Sequence, residues 1–504
     1  MNTKLLIVWV VIAACILALS YEDSSGMLGH DSVYYLRMAS NILHGHHPMF
    51  IAHRLGGDLG YHVAMWPIGY PAMIAGISHV LPVNLFLASK LTTVFMIGLA
   101  CYALHRVVGR AAWIYASVFL VAPVMNMAAR TISEISFVAL LVMYILALHA
   151  FYRKSSTATW VAITVCPIGL FVLRYIGLYA VGLLGLLGFV LLIRQRRADV
   201  LRCAVSAVIT VAVAGAYLLY NRSLTGHMTG RNRLEYHETL PEVLRAVTTA
   251  HVQHLNLVIS YGGTGLLGRL VAAAAIVLTV GVLVRVVLYA RRERPSEPNG
   301  ENGQLYLFFL TAAVTYWICM MAIIAARAVG PFDYARLILP ALPLLLLSGC
   351  CYLQFNADVL ERQARWLMLI PCASVLLGAV ALPAYAHLRG NLETFAMRSE
   401  AVHKSYAGVS SRDGIISDNY LVMYLRPDVG FLYYYGSSLE GLIPWLHDSG
   451  AEHVYLDLGH ATPITENYRY EQVDGFARPD VDDARLFRVL DPRPTITEEA
   501  TQGS

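Results

Sequence analysis

Long apolar runs follow one another from the start of the chain to about residue 386, separated by short polar connections. A helix needs about 20 apolar residues to cross a membrane. This pattern predicts about eleven transmembrane helices and therefore a mainly α fold, a polytopic helical bundle. The predicted spans are 4–20, 84–104, 111–128, 135–151, 158–173, 176–193, 200–220, 264–289, 304–326, 337–354 and 366–386.

Basic residues fall in, or within a few residues of, every second connection between the predicted spans, and the positive-inside rule makes those connections cytoplasmic. They are Arg106, Arg110, Arg153, Lys154, Arg194, Arg196, Arg197, Arg202, Arg285, Arg291, Arg292, Arg294, Arg362 and Arg365. Lys4 agrees with this assignment and places the N-terminus in the cytoplasm. We therefore predict a multi-pass inner-membrane protein whose segments 21–83 and 221–263, and whose tail from 387, lie on the periplasmic or extracellular side.

Composition supports the membrane prediction, with 57% hydrophobic and 14% charged residues and a mean hydropathy of +0.56. The net charge of +4 mostly reflects the cytoplasmic arginines and gives no indication of nucleic-acid binding. All eight cysteines lie in or beside apolar segments, which predicts neither disulfides nor a cysteine zinc site. Residues 1–20 end in Ala18-Leu19-Ser20, a form that a cleaved signal peptide also shows, but their length favours a retained first helix.

The tail contains alternating strand-like and helix-like stretches, typical of a small α/β domain. We predict two domains, a membrane domain over 1–386 that includes the loop 21–83, and an extracytoplasmic α/β domain over 387–504 with a disordered end. The sequence contains no Walker A loop, dinucleotide fingerprint or internal repeat, which argues against an ATP-driven pump.

Loop 21–83 contains the clearest candidate chemistry. Asp31 comes immediately before a stretch, Ser32–Leu43, that favours a helix, and Gly45 is suited to end it. The simplest interpretation is that Asp31 or Ser32 caps this helix. A carboxylate held at a helix start just outside a membrane can also act as a positioned base, so the two interpretations are compatible.

Four short motifs occur in order on the predicted outer side. They are Asp31-x-x-Tyr34-Tyr35-x-x-Met38-Ala39-x-x-Ile42-x-x-Gly45, Trp66-Pro67-Ile68-Gly69-Tyr70-Pro71, Arg130-Thr131-Ile132-Ser133-Glu134 and Tyr334-Ala335-Arg336-Leu337-Ile338-Leu339-Pro340. This arrangement resembles the GT-C membrane glycosyltransferases, the superfamily of the protein O-mannosyltransferases and the lipid A aminoarabinose transferase, in its bacterial branch. In one departure, His30 precedes Asp31 where some relatives carry an acidic pair.

The resemblance implies inverting transfer of a sugar from a polyprenyl-phosphate donor to a glycan, lipid or protein acceptor, with no cofactor required. Asp31 matches the family's catalytic acidic position, and a carboxylate can take the proton of an attacking hydroxyl. The leaving group is a lipid phosphate, whose developing charge requires cations. Because His30 replaces an acid, the resemblance leaves dependence on a divalent metal open.

Arginine suits a phosphate because its planar guanidinium can donate to two oxygens and stays charged. Candidates near the predicted outer helix ends are Arg130, Arg174, Arg231, Arg233, Arg327 and Arg336. Taken singly, such arginines more often snorkel or pair at the interface. Arg174 and Arg336 are favoured because they adjoin apolar helix, whereas Arg231 and Arg233 are reserves.

Candidates for recognition of the sugar or acceptor are Glu134, Arg130, Tyr34, Tyr35, Trp66 and Tyr70. Glu134 opens a predicted helix, where it also complements the helix dipole. It could instead pair with Arg130 at i, i+4 spacing. The Trp66–Pro71 segment more often shapes a turn than stacks on a sugar.

Loop 21–83 is also rich in histidine, with His30, His44, His46 and His47 as the nearest neighbours of Asp31 in sequence. Imidazole and carboxylate can bind zinc or another divalent ion, but this spacing matches no closed metal site, and polar surface or contact with the acceptor is the favoured interpretation.

Three other functions compete with sugar transfer. A transporter or lipid-linked glycan flippase would show two repeated halves with broken helices, and the sequence has no such symmetry. A glycan polymerase uses similar chemistry and remains an alternative. A membrane scaffold would not require the Asp31 and arginine set.

Overall fold

A computed structural model gives the fold. It describes residues 2–52, 60–62, 64–229, 239–259, 266–292, 304–326, 334–355, 359–381, 383–384, 394–426, 428–433, 439–448, 451–457, 468–473, 476 and 485–492. The chain forms two compact units. Unit 1 comprises Met1–Ser20 and Ala64–Leu392, and unit 2 comprises Tyr21–Val63 and Glu393–Ser504. Unit 2 therefore joins most of the first loop to the tail.

Unit 1 is helical throughout the part that the structure describes. Its helices are α1 (Thr3–Glu22), α3 (Gly69–Val80), α4 (Leu85–Val108), α5 (Ala112–Ala116), α6 (Ala122–Ala129), α7 (Glu134–Arg153), α8 (Thr157–Leu173), α9 (Tyr179–Ile193), α10 (Arg197–Thr225), α11 (Leu240–Leu255), α12 (Leu266–Arg292), α13 (Leu305–Ala325), α14 (Tyr334–Ile338), α15 (Ala341–Phe355), α16 (Val359–Leu367) and α17 (Leu369–Ser374). Within the described residues, eight helical stretches are long and apolar enough to cross a membrane. The predicted mainly α, multi-pass membrane fold is confirmed.

One predicted span is not a single helix, and another contains a π-helical segment. The run 111–128 consists of short helical turns interrupted at Val121, whose backbone is extended (φ −69°, ψ 141°), and α6 then begins with Pro123 in its first turn. The run 366–386 stays helical up to Ala381 and becomes π-helical over Val375–Ala381. Hydropathy could not predict these features, because it averages over backbone conformation.

Helix α7 is the central helix of unit 1. Of an apolar stretch of 18 residues in α7, 78% are buried inside the protein, against 22% of the corresponding stretch in α10. Phe137, Val138, Leu141 and Tyr144 are fully buried along it. A helix that is apolar on all sides is stable in such a position. Glu134 is the first residue of this central helix and is buried with it.

Unit 2 combines helices with a small mixed sheet. Its elements are α2 (His30–Leu43), β1 (Phe50–Ala52), β2 (Gly60–His62), α18 (Phe395–Ser405), β3 (Gly414–Ser417), α19 (Tyr420–Leu425), β4 (Gly430–Tyr433), α20 (Leu439–Asp448), β5 (Val454–Asp457), β6 (Tyr468–Gln472) and β7 (Leu486–Pro492). β1 and β2 pair antiparallel, and the other strands form one sheet in the order β4-β3-β5-β7-β6. β3 is parallel to β4 and β5, while β7 is antiparallel to β5 and β6. The predicted C-terminal α/β fold is confirmed.

The sheet is connected to the helix that carries Asp31. Helix α2 packs against α19, which follows β3 directly and is capped by Asn419. In the sheet, the fully buried carboxylate of Asp457 accepts hydrogen bonds from Ser417 Oγ (2.9 Å) and from the Tyr406 hydroxyl. Buried carboxylates need such donors, and these bonds tie together β3, β5 and the end of α18.

Candidate functional site

An ionic cluster centred on Glu134 lies at the start of α7. The Glu134 side chain is 2% exposed, and its Oε1 forms ion pairs with two guanidinium groups, at Nη1 of Arg174 and at Nε of Arg336, the latter at 2.9 Å. The arginine side chains are 13% and 24% exposed. Glu134 Oε2 is buried and has no hydrogen-bond partner among the described residues. Sequence positions 134, 174 and 336 therefore meet in one place.

The turn that presents Arg174 is tightly held. Arg174 ends α8 in an extended conformation, and a 3₁₀ turn over Tyr175–Leu178 follows. The Tyr175 hydroxyl donates to the Ala64 carbonyl (2.6 Å) and accepts from Asn221 Nδ2 (2.9 Å). These two hydrogen bonds fix the Tyr175 ring and thereby restrain the neighbouring Arg174.

Gly177 is required in this turn because a Cβ there would overlap the backbone of Leu170. We expect Gly177→Ala to displace the turn and Arg174, lowering the free energy of unfolding by about 1–3 kcal/mol, the usual effect of overpacking. Thermal unfolding in detergent measures this. The matched control is Gly182→Ala in α9, where a Cβ meets nothing within 4 Å and alanine favours the helix. Equal stability of the two variants would contradict the steric interpretation.

Arg336 is presented by α14, a helix of only five residues. The Tyr316 hydroxyl of α13 donates to the Leu337 carbonyl at 3.0 Å. Tyr334 and Ile338 are buried in a small apolar cluster with Ala250 of α11. Neighbouring helices therefore fix α14, because a helix this short has little stability of its own.

Lys90 is a buried cation that the sequence analysis did not select. It is fully buried in α4, and its Nζ donates to the Ala129 carbonyl (2.7 Å) and to Thr131 Oγ1 (2.9 Å). Nζ also lies 4.8 Å from the centre of the Phe86 ring. A lysine six residues into an apolar helix was itself a signal, because an ionisable group at membrane depth is a functional candidate by default.

Tyr70 connects Lys90's surroundings to the Glu134 cluster. Its buried hydroxyl donates to the carbonyl of Ser89 (3.5 Å), whose Oγ is 2.8 Å from Thr131 Oγ1. Both Tyr70 and Tyr316 are close enough to Glu134 for an electrostatic interaction. Two arginines therefore meet one carboxylate at Glu134, and Lys90 is linked to this region through Thr131, Ser89 and Tyr70.

Two other candidates from the sequence, Trp66 and Arg130, also belong to unit 1. Trp66 is 9% exposed, just before α3. Arg130 follows α6 in an extended conformation (φ −75°, ψ 151°), and α7 begins only at Glu134. Arg130 therefore lies outside the helix that Glu134 begins, and the helical i, i+4 spacing that would pair them is absent. Among the described residues, the ion partners of Glu134 are Arg174 and Arg336.

Asp31, Tyr34 and Tyr35 belong to α2 in unit 2. The helix starts at His30, with Gly29 as N-cap, so Asp31 is its second residue and does not cap it. Ser32 Oγ accepts from the Gly29 amide at 2.9 Å. The Asp31 carboxylate is 20% exposed and 3.8 Å from His30 Nδ1. Tyr34 and Tyr35 are buried, and the His30 and Tyr34 rings are 4.9 Å apart.

The loop histidines form pairs in the described residues. His44 stacks on His46 (6.4 Å between ring centres), and His47 lies 5.0 Å from His62. Burial, together with the charge of His62, lowers the pKa of His47. No group of three or more His, Cys, Asp or Glu side chains that could hold a metal occurs in the described part of the chain. Arg231, Arg233 and Arg327 lie outside the described residues.

Comparison with solved structures finds likenesses of overall fold across most of the chain. ArnT from Cupriavidus metallidurans bound to undecaprenyl phosphate is 15% identical, with 97% of this chain and 98% of that chain covered and a TM-score of 0.47. The oligosaccharyltransferase AglB from Archaeoglobus fulgidus is 14% identical (90% and 69% covered, TM-score 0.47). The mycobacterial arabinofuranosyltransferase AftD is 13% identical (97% and 40% covered, TM-score 0.46).

No family model and no curated protein matches the sequence.

Proposed function

We propose that this protein is a membrane glycosyltransferase that moves a sugar from a polyprenyl-phosphate donor to an acceptor hydroxyl on the outer face of the inner membrane. The observation that supports this most is the buried ionic cluster in which Arg174 and Arg336 contact Glu134, together with the separate buried cation Lys90. Cations gathered inside an apolar bundle are costly, and they persist where they serve an anion or a transport path. A lipid phosphate is the anion that an enzyme embedded in the bilayer meets.

The cluster suits the leaving group of the reaction. When the bond between the sugar and the phosphate breaks, negative charge develops on the phosphate oxygens, and fixed cations in a dry site stabilise that charge. Glu134 holds the two guanidinium groups in place before the donor arrives. Such preorganisation avoids the cost of collecting like charges during the reaction.

Asp31 supplies the other half of the mechanism in this proposal. An acceptor hydroxyl must lose its proton as it attacks the anomeric carbon, and a carboxylate can accept that proton. Attack opposite the phosphate inverts the anomeric centre. Asp31 is partly exposed at the start of a helix, where it can meet an acceptor arriving from water. The acceptor class, whether glycan, lipid or protein, stays open.

The phosphate assignment is tested with undecaprenyl phosphate as the probe. We expect Arg174→Gln, Arg336→Gln and Lys90→Met each to weaken binding about 10- to 150-fold, because a charge-assisted hydrogen bond contributes about 1.5–3 kcal/mol. Native mass spectrometry of the detergent-solubilised protein measures the binding. The control, Arg106→Gln, alters an exposed arginine of α4 that contacts Tyr102, and its affinity should equal that of wild type.

Undecaprenol, which lacks the phosphate, separates recognition of the head group from recognition of the tail. The three cation variants should bind undecaprenol as wild type does. Equal losses for both lipids would contradict the phosphate role. Vesicle uptake of a lipid-linked sugar without release of free lipid phosphate would replace the transferase with a transporter.

A further inference from the structure

Helix α11 lies beside α13, a helix long and apolar enough to cross the membrane. Ala250 of α11 is buried in an apolar cluster with Ile324, near the end of α13. The next residue, His251, accepts a hydrogen bond at Nε2 from Trp317 Nε1 of α13 (2.9 Å). Trp317 lies eight residues before the end of α13 (317 to 325), which is about 12 Å along the helix axis. The last two turns of α11 are therefore held alongside α13 and not beyond its end.

The chain that follows α11 is bonded to the break in the predicted span 111–128. Leu257 is buried, and its carbonyl accepts a hydrogen bond from the Ala122 amide (2.9 Å). In an unbroken helix that amide would donate to the carbonyl four residues earlier, but the extended backbone at Val121 removes this acceptor. The end of α11 thus supplies the acceptor that the broken span lacks.

The segment Asn256–Ile259 has the properties of irregular backbone at membrane depth. Such backbone is tolerated in the hydrocarbon region only where protein buries it and pairs its polar groups. All four residues are buried and none is helical. The Ile259 amide donates to Asn256 Oδ1 (3.1 Å), and the Asn256 and Leu257 amides donate to the carbonyls of Gln253 and Leu255. This segment therefore meets the condition for entering the bilayer.

The exposed side of α11 is apolar. Its spacing places four exposed side chains within one side of the helix, and these are Leu240, Leu244, Val252 and Leu255. The charged residues Glu242 and Arg245 lie in the first half of α11. Beside the second half, Trp317 and its neighbour Ile318 are exposed on α13. An apolar side at this depth matches the acyl chains that surround a spanning helix.

We infer that α11 and Asn256–Ile259 form a re-entrant segment that enters the outer leaflet, with the exposed side of α11 against the acyl chains of membrane lipids. The bond from Trp317 to His251 sets its depth along α13. The bond from Ala122 to Leu257 places its end at a break inside a span. The sequence alone assigned all of 221–263 to an outer loop. The inference requires the membrane fold and does not depend on the proposed function.

Spin labels on the full-length protein in phospholipid liposomes test the inference. A nitroxide carried by p-acetylphenylalanine in place of Val252 or Leu255 leaves the eight cysteines unmodified, and both positions are exposed. Oxygen concentrates in hydrocarbon and a polar nickel chelate in water, so collision rates with the two reagents identify the surroundings. We expect both labels to collide mainly with oxygen, as a label at the exposed Val314 of α13 does. A label at Arg412 of unit 2, whose side chain is 70% exposed, gives the aqueous value.

Each other outcome contradicts a stated part of the inference. Collisions mainly with the nickel chelate at positions 252 and 255 would place this side of α11 in water and overturn it. Low collision rates with both reagents would mean that protein, such as a second copy of the chain, covers this side, and would also overturn it. A label at Leu240 should give a smaller oxygen-to-nickel ratio than one at Leu255, because a re-entrant helix descends from the surface. Equal ratios would describe a helix lying flat at the interface and would overturn the re-entrant placement.

Discussion

Asp31→Asn is expected to reduce sugar transfer by about 10²- to 10⁴-fold, the usual contribution of a general base. Asparagine has nearly the same size and shape but cannot take a proton at neutral pH. Asp31 is the second residue of α2 and Gly29 is the N-cap, so the substitution removes no cap. It removes only a favourable charge near the helix start, worth a few tenths of a kcal/mol for a partly exposed group.

The measurement compares cells that lack the native protein and carry either wild type or Asp31→Asn. Mass spectrometry of surface glycans and of lipid-linked sugars should show a missing modification and an accumulated donor. Asp428→Asn in the same unit removes a charge beside Arg426 and should behave as wild type. Normal transfer by a normally expressed Asp31→Asn protein would assign Asp31 a structural role and leave the base elsewhere.

Binding and proton transfer are separable in this scheme. Asp31→Asn should bind undecaprenyl phosphate with wild-type affinity, whereas Arg174→Gln should not. The two variants thus lose activity for different reasons. Loss of lipid binding in Asp31→Asn would contradict the division of roles between the carboxylate and the cations.

The membrane fold could be predicted from the sequence because one physical requirement dominates it. A spanning helix must be long and apolar, and that requirement is visible in single runs such as 135–151, which became α7. The interruption at Val121 could not be predicted in the same way, because it depends on backbone conformation and packing. The amphipathic helix α11 was also missed within the segment 221–263, since it is neither long nor uniformly apolar.

The site was predictable in part. Arg174 and Arg336 were favoured because each adjoins apolar helix, and the structure places both on Glu134. Their meeting point depends on contacts between residues up to 202 positions apart (134 to 336), which spacing along the chain does not reveal. Lys90 was missed because it lies inside a predicted span, whereas the arginine candidates lie near the predicted outer helix ends. The pairing of Arg130 with Glu134 was wrong because Arg130 is extended and α7 begins only at Glu134.

Glu134→Gln is expected to reduce the free energy of unfolding by up to about 3 kcal/mol. Removing one partner of a buried pair leaves the other charge uncompensated, at a cost of about 3–5 kcal/mol, and the 13% and 24% exposure of the two arginines lowers that value. Glutamine keeps the shape but not the charge. Two guanidinium groups then face each other without the carboxylate between them.

Undecaprenyl phosphate should partly reverse this loss, because the lipid supplies the anion that the variant lacks. Ligand at a hundred times its Kd adds about 2.7 kcal/mol of stability by mass action, and the gain in melting temperature should be larger for Glu134→Gln than for wild type. Glu452→Gln alters an exposed pair with Arg412, where a surface ion pair is worth at most about 1 kcal/mol, and provides the control. A Glu134→Gln protein as stable as wild type would show that the arginines do not depend on this carboxylate. An equal gain in wild type and variant would show that the lipid phosphate binds away from Arg174 and Arg336.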